Sequence, residues 1–153
     1  MTFRIMCVVL ISGWSVGVFH SAVQAQGAGA QAAGAPGAKS VWDGVFTEEQ
    51  AKRGEAAYTQ NCSECHQADL TGDGFAPALS GADFTNNWNG LTVGDLFERV
   101  RISMPPGKEN AIPAATKADI VTHILKFNKF PAGTTEMPAQ TEALKQFKFE
   151  VKP

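Results

Sequence analysis

The chain has 153 residues, 44% of them hydrophobic and 18% charged, with a formal charge of −2 and three cysteines. That suits one compact domain with appendages. It excludes a large multidomain enzyme, a strongly basic nucleic-acid binder, a collagen, a coiled coil and a disulfide-rich miniprotein.

Met1 to Arg4 gives a positive start, Ile5 to Phe19 is uncharged and mostly apolar, and Ser21-Ala22-Val23-Gln24-Ala25 supplies small residues. The pattern predicts a secretory signal peptide over residues 1–25, cut after Ala25; the alternative, an uncleaved anchor, would need an apolar run nearer ~20 residues. Cleavage removes Cys7, which stands too early for a lipoprotein cysteine, and leaves Cys62 and Cys65 in the mature chain. Residues 26–40, QGAGAQAAGAPGAKS, carry no large apolar side chain and are expected to be a flexible Ala/Gly-rich linker. The domain is placed at residues 41–131, with an extension over 132–153 whose Leu144, Phe147 and Phe149 are suited to pack back on it.

Three helices are expected, each opened by a threonine. Thr47-Glu48-Glu49-Gln50 predicts a capping box and a helix to about Gln60. Thr92-Val93-Gly94-Asp95 predicts a second, with Leu91 and Leu96 as a hydrophobic staple and Val93, Leu96, Phe97 and Val100 as its apolar stripe. Thr116-Lys117-Ala118-Asp119 predicts a third, with Ile120, Val121, Ile124 and Leu125 on one side. No comparable window alternates apolar and polar residues, so strands are not expected and the class is all-α. Residues 66–91 read as a long irregular loop, which a domain of this size tolerates only if something other than side chains fills its centre.

Cys62-Ser63-Glu64-Cys65-His66 supplies that filling. Two thiols at helical i, i+3 spacing face one side and suit thioether bonds to the vinyl groups of one haem c, and His66 is then held against the ring with a nitrogen for the iron. A Cys62–Cys65 disulfide of thioredoxin-like spacing lacks the surrounding βαβ pattern, and a zinc site from Cys62, Cys65, His66 and His123 would have atypical ligand spacing. For the sixth iron position Met104 in Ser103-Met104-Pro105-Pro106-Gly107 is the best candidate, because Pro105 forces an extended Met104 and two prolines stiffen the segment. Its rival is Met137 in Glu136-Met137-Pro138, in a polar tail; His123, beside the stripe of its helix, reads as a partly exposed surface histidine. A thioether favours ferrous iron, and two filled axial positions make an electron carrier rather than an enzyme.

These residues resemble the class I monohaem c-type cytochromes, and among them the short bacterial domains that accompany exported, often quinoprotein, dehydrogenases. The resemblance covers about Thr47 to Phe130 and rests on Cys62-x-x-Cys65-His66 and Met104-Pro105. It implies a small cytochrome c fold, with the first helix crossing the last through Gly54 and Tyr58 against Leu125 or Phe127. It also implies that the Pro77 carbonyl accepts the His66 proton, that Leu79 lies on the haem, and that Trp88 bonds a propionate. Export fits, since covalent haem attachment in bacteria takes place outside the cytoplasm. Arg99 and Arg101 are further propionate candidates, against the ordinary reading of exposed helix arginines.

The expected function is thus that of a periplasmic single-electron carrier with one haem c, ligated by His66 and Met104. Its partners would be redox proteins such as an exported dehydrogenase and a terminal oxidase or other cytochrome, with no nucleic acid and no membrane span in the mature chain. Residues 41–125 hold six basic and twelve acidic side chains, residues 126–153 five and three, a division suited to steering a partner to the haem edge near Cys62, Phe75 and Met104-Pro105. Alternatives are a haem enzyme or gas-binding sensor with an open distal site, and an interaction module that uses haem for stability alone.

Overall fold

In a computed structural model the described residues are 39–150; the expected signal peptide and residues 26–38 of the linker lie outside them. The order is β1 (Lys39–Ser40), a 3₁₀ turn (Val41–Asp43), α1 (Glu48–Asn61), α2 (Ser63–His66), α3 (Gly81–Trp88), α4 (Val93–Ser103), α5 (Ala114–Phe127), α6 (Thr141–Leu144) and β2 (Phe147–Lys148). Among the described residues the fold is all-α but for one two-residue parallel pair, Lys39 opposite Phe147 and Ser40 opposite Lys148, and an isolated bridge from Thr92 to Lys148. No helix of the described residues is long and apolar enough to cross a membrane.

Thr47 caps α1, its hydroxyl accepting from the Gln50 N–H at 3.1 Å. Gln50 does not complete the expected box. It is buried and needs both amide atoms satisfied: Nε2 donates to the Met137 carbonyl at 2.9 Å, and Oε1 accepts from the Met137 N–H at 2.7 Å. The box at α4 is complete, with the Asp95 N–H donating to the Thr92 hydroxyl at 3.1 Å and the Thr92 N–H to the Asp95 carboxylate at 2.8 Å. The Leu91 carbonyl before it receives the Phe149 N–H at 2.9 Å, and the Leu91 side chain stays 44% exposed.

The third expected helix starts earlier than Thr116. Pro113 caps α5, Ala114 and Ala115 are strong helix formers, and the Lys117 N–H closes the first turn on the Pro113 carbonyl at 3.0 Å. Asp119, assigned by the sequence to a capping box, instead meets Arg53 of α1 at 3.2 Å. The loop of residues 66–91 contains the unexpected α3, which buries only Phe84.

The long helices α1 and α5 cross at Gly54. A Cβ there would stand 1.8 Å from the Asp119 carbonyl oxygen and 3.1 Å from the His123 Cβ. Tyr58 packs on the His123 ring, centroids 5.1 Å apart. Asp119 and His123, which the sequence did not single out for this contact, thus face Gly54 and Tyr58 across the crossing. Val41, Phe46, Tyr58, Phe97, Ile124 and Leu125 are among the residues of the apolar core.

Residues after Pro131 return to this core. Leu144 and Phe149 are buried, and Phe149 lies between Phe84, Trp88 and Phe130 at centroid distances of 6.1, 6.1 and 5.7 Å. The Gly90 N–H donates to the Phe149 carbonyl at 2.9 Å, and the Trp42 indole to the Glu150 carbonyl at 2.9 Å. Phe149→Ala should therefore destabilise the protein by about 3–5 kcal/mol, the range for emptying a buried aromatic site, measured by urea unfolding of the haem-loaded protein. A loss under about 1 kcal/mol would mean that the extension rests on the domain without completing it.

Glu98 of α4 links helix and extension. It accepts from Arg101 at 2.8 and 2.6 Å and from the Thr141 hydroxyl at 2.6 Å. The Arg101 bonds and then that of Thr141 lower its pKa from the usual 4.5 to about 2. A carboxylate with a depressed folded pKa stabilises above its unfolded value and loses that contribution as pH falls through the folded one. The stability gap between wild type and Glu98→Gln should be full above about pH 5 and close toward about pH 2, read from unfolding midpoints across that range.

Candidate haem site

The attachment sequence begins where α1 stops. Cys62 leaves helical geometry at φ −128°, and its carbonyl accepts from the N–H groups of Cys65 and His66 at 3.2 and 2.9 Å, which folds the five residues into a single turn. Both cysteines are free thiols, so no disulfide joins them. Cys62 is half-buried against the core and Cys65 is exposed. Burial, and then the neighbouring Cys65, push the Cys62 thiol up to about 11. Among the described residues no three His, Cys, Asp or Glu side chains gather as a metal-ion site, and the zinc reading has no support in the geometry.

His66 is 8% exposed, and its Nδ1 lies 2.9 Å from the Pro77 carbonyl. A carbonyl only accepts, so Nδ1 carries the proton and Nε2 keeps the lone pair that a metal would take. The chain between them is shaped for this contact. Tyr58 donates its hydroxyl proton to the Gln67 carbonyl at 2.8 Å, and the Gly72 N–H donates to the His66 carbonyl at 3.1 Å. Gly72 has φ +75°, and a Cβ there would meet the Ala76 carbonyl oxygen at 2.3 Å, so only glycine fits. Asp73 accepts from the N–H groups of Phe75 and Ala76, which lowers its pKa.

Leu79 is half-buried on the core, its N–H on the Leu70 carbonyl at 2.7 Å and its carbonyl receiving the Asn128 amide at 2.8 Å. Asn128 also accepts from the Gly81 N–H at 3.0 Å. A single side chain at the end of α5 thus fixes the Pro77–Gly81 segment. Sequence reasoning passed it over, although an Asn just after a helical stripe is a recognisable cap signal.

Met104 follows α4 in extended geometry, φ −126° and ψ 139°, with its N–H on the Val100 carbonyl at 3.2 Å. Its side chain is neither buried nor fully exposed. Met137, the rival candidate, is 3% exposed in the core, and its peptide pairs with Gln50. His123 is turned toward Tyr58 and Phe127 rather than toward solvent alone, and burial lowers its pKa.

Trp88 is half-buried among aromatic rings, and its indole N–H has no partner among the described residues. Arg101 forms a bidentate pair within α4, its Nε and one terminal nitrogen donating to the two Glu98 carboxylate oxygens. Arg99 is exposed. Phe75 is wholly exposed and Ile102 56% exposed, apolar side chains that the protein itself leaves uncovered.

This donor set suits one haem: two unpaired thiols on a single turn, an imidazole with its tautomer fixed and a thioether on a proline-stiffened segment. Residues 49–124 match the family described as cytochrome c oxidase, cbb3-type, subunit III. The match spans α1, the attachment turn, the Pro77–Gly81 segment, Met104 and most of α5. No curated protein and no solved structure matches the chain. Residues 49–124 therefore form a c-type cytochrome domain, of the electron-transfer kind that holds haem c through covalent bonds to a Cys-x-x-Cys-His sequence.

Proposed function

We propose that the protein is an exported, periplasmic carrier of single electrons, with one haem c held through Cys62 and Cys65 and ligated by His66 and Met104. The observation that carries this reading is the 2.9 Å contact from His66 Nδ1 to the Pro77 carbonyl, which leaves Nε2 as the ring's ligating atom. When bound, the haem supplies a one-electron iron couple whose potential depends on its axial ligands. The chain's own residues do the rest. His66 is held in one tautomer by Pro77; Met104 offers a soft donor; Leu79 and Trp88 provide apolar surface, with the Trp88 N–H directed to a propionate.

An exported dehydrogenase as donor and a terminal oxidase or second cytochrome as acceptor suit such a carrier. Exposed Phe75 and the Met104-Pro105 edge would face them. The acidic domain and basic extension predict that the second-order rate with a charged partner changes at least about tenfold between low and high ionic strength. A salt-independent rate would remove the steering part of the reading. For the carrier itself, untreated reduced protein should show an unchanged spectrum under carbon monoxide and a reversible one-electron titration. Ready carbon monoxide binding would instead favour an open-site enzyme or sensor.

A further inference from the structure

The first turn of α5 contains a charged side chain that the carrier reading leaves unused. Lys117 is 1% exposed, and its Nζ donates to two backbone carbonyls, those of Arg101 at 2.9 Å and Glu109 at 2.6 Å. Arg101 lies in the last turn of α4, just before Met104, and Glu109 lies beyond Met104-Pro105-Pro106-Gly107. One ammonium thus grips the polypeptide on both sides of Met104.

Packing does little to hold the segment. Met104 and Pro105 are only half-buried, and Pro106, Gly107 and Lys108 are exposed. Local bonds shape it internally: the Lys108 N–H donates to the Pro105 carbonyl at 3.0 Å, and the Gly107 N–H to the Glu109 carboxylate at 2.7 Å. Neither ties it to the rest of the fold. Burying an ammonium is costly, and an aliphatic side chain would fill the space beside Ile120 and Val121 without that cost. What the ammonium adds is two charge-assisted bonds to the ends of one loop.

We propose that Lys117 is a positioning residue of the redox centre, tying both ends of the Met104 segment to α5 and so holding the Met104 thioether at the iron. This rests on His66 and Met104 being the axial ligands. The test uses the haem-loaded protein with Lys117→Met, which keeps the unbranched stem and removes the donors. The sulfur-to-iron absorption band of the oxidised protein should weaken, and the affinity of the reduced protein for carbon monoxide should rise about tenfold or more as the open state gains population. Amide exchange over residues 103–111 should quicken by about the same factor, while covalent haem and helix content stay unchanged. Lys117→Gln, with a shorter stem and an uncharged amide that carries two N–H donors, should fall between the two and supplies the readout if Lys117→Met does not fold.

A wild-type band, carbon monoxide resistance and exchange in these variants would overturn the proposal. So would a lowered potential with band and resistance intact, which is an effect of charge without positioning. If the ligand reading itself is at fault, Met104→Ala will leave the band and resistance of the parent protein as they were. If Lys117 alone is misassigned, Met104→Ala will abolish both and Lys117→Met will not.

Discussion

Met104→Ala is expected to lower the midpoint potential by on the order of 0.1 V or more, a fraction of the roughly 0.8 V range that axial ligands span, and to open the reduced iron to carbon monoxide. The thioether is a soft donor that stabilises ferrous over ferric iron, and alanine replaces it with nothing that can ligate. Stability should change little by comparison, because Met104 is half-exposed and the core does not lean on it. Met137→Ala reverses the pattern. Its side chain is buried beside the Gln50 pair, so it should cost about 2–5 kcal/mol of stability and leave potential and carbon monoxide resistance in place. Redox titration and carbon monoxide difference spectra of both variants decide the assignment; a fall in potential with Met137→Ala alone would move the ligand to the extension.

Gly54→Ala should destabilise the protein by about 3 kcal/mol, with a Tm lower by on the order of 10 °C. Helix propensity argues the other way, since alanine gains about 1 kcal/mol over glycine in a helix interior. Geometry decides between them. The new methyl would lie 1.8 Å from the Asp119 carbonyl oxygen and 2.6 Å from its carbonyl carbon, and both belong to helical backbone that cannot swing aside. α1 and α5 would have to separate, pulling Arg53 from Asp119 and Tyr58 from the His123 ring. The cysteine turn is the continuation of α1, so the attachment site would shift as well. Thermal unfolding followed by circular dichroism measures the effect, and a rise in Tm would mean that the helices are free to slide past each other.

Features written in local chemistry were legible in the sequence. Cys62-x-x-Cys65-His66 sits on one turn because its residues are neighbours, and the capping threonines of α1 and α4 act within three residues of themselves. The extended Met104 follows from the proline after it. Features that depend on a distant partner were not legible. Gln50 has the right type for a capping box, yet burial beside Met137 gives its amide a better pair of bonds. Arg101 was available to a propionate by position alone, but a glutamate one turn earlier pairs with its Nε and one terminal nitrogen.

Some signals were present and passed over. Lys117 stands three residues before Ile120 and four before Val121, which places it on the buried face of α5 rather than on a solvated one. Phe147, Lys148, Phe149 and Glu150 alternate apolar and polar, a brief strand pattern fulfilled by pairing with Lys39 and Ser40. Helix α3 had no such signal, because two turns rich in Asn, Thr and Gly with one buried phenylalanine show no periodicity.

The central claim is one haem bonded to Cys62 and Cys65 and ligated on its two faces by His66 and Met104. The absorption spectrum of the purified protein, taken oxidised, reduced and after extraction with acidified acetone, tests it most directly. The account predicts a low-spin c-type spectrum with a sulfur-to-iron band when oxidised, and colour that stays with the polypeptide through extraction. A colourless protein, or pigment that passes into the solvent, would contradict it.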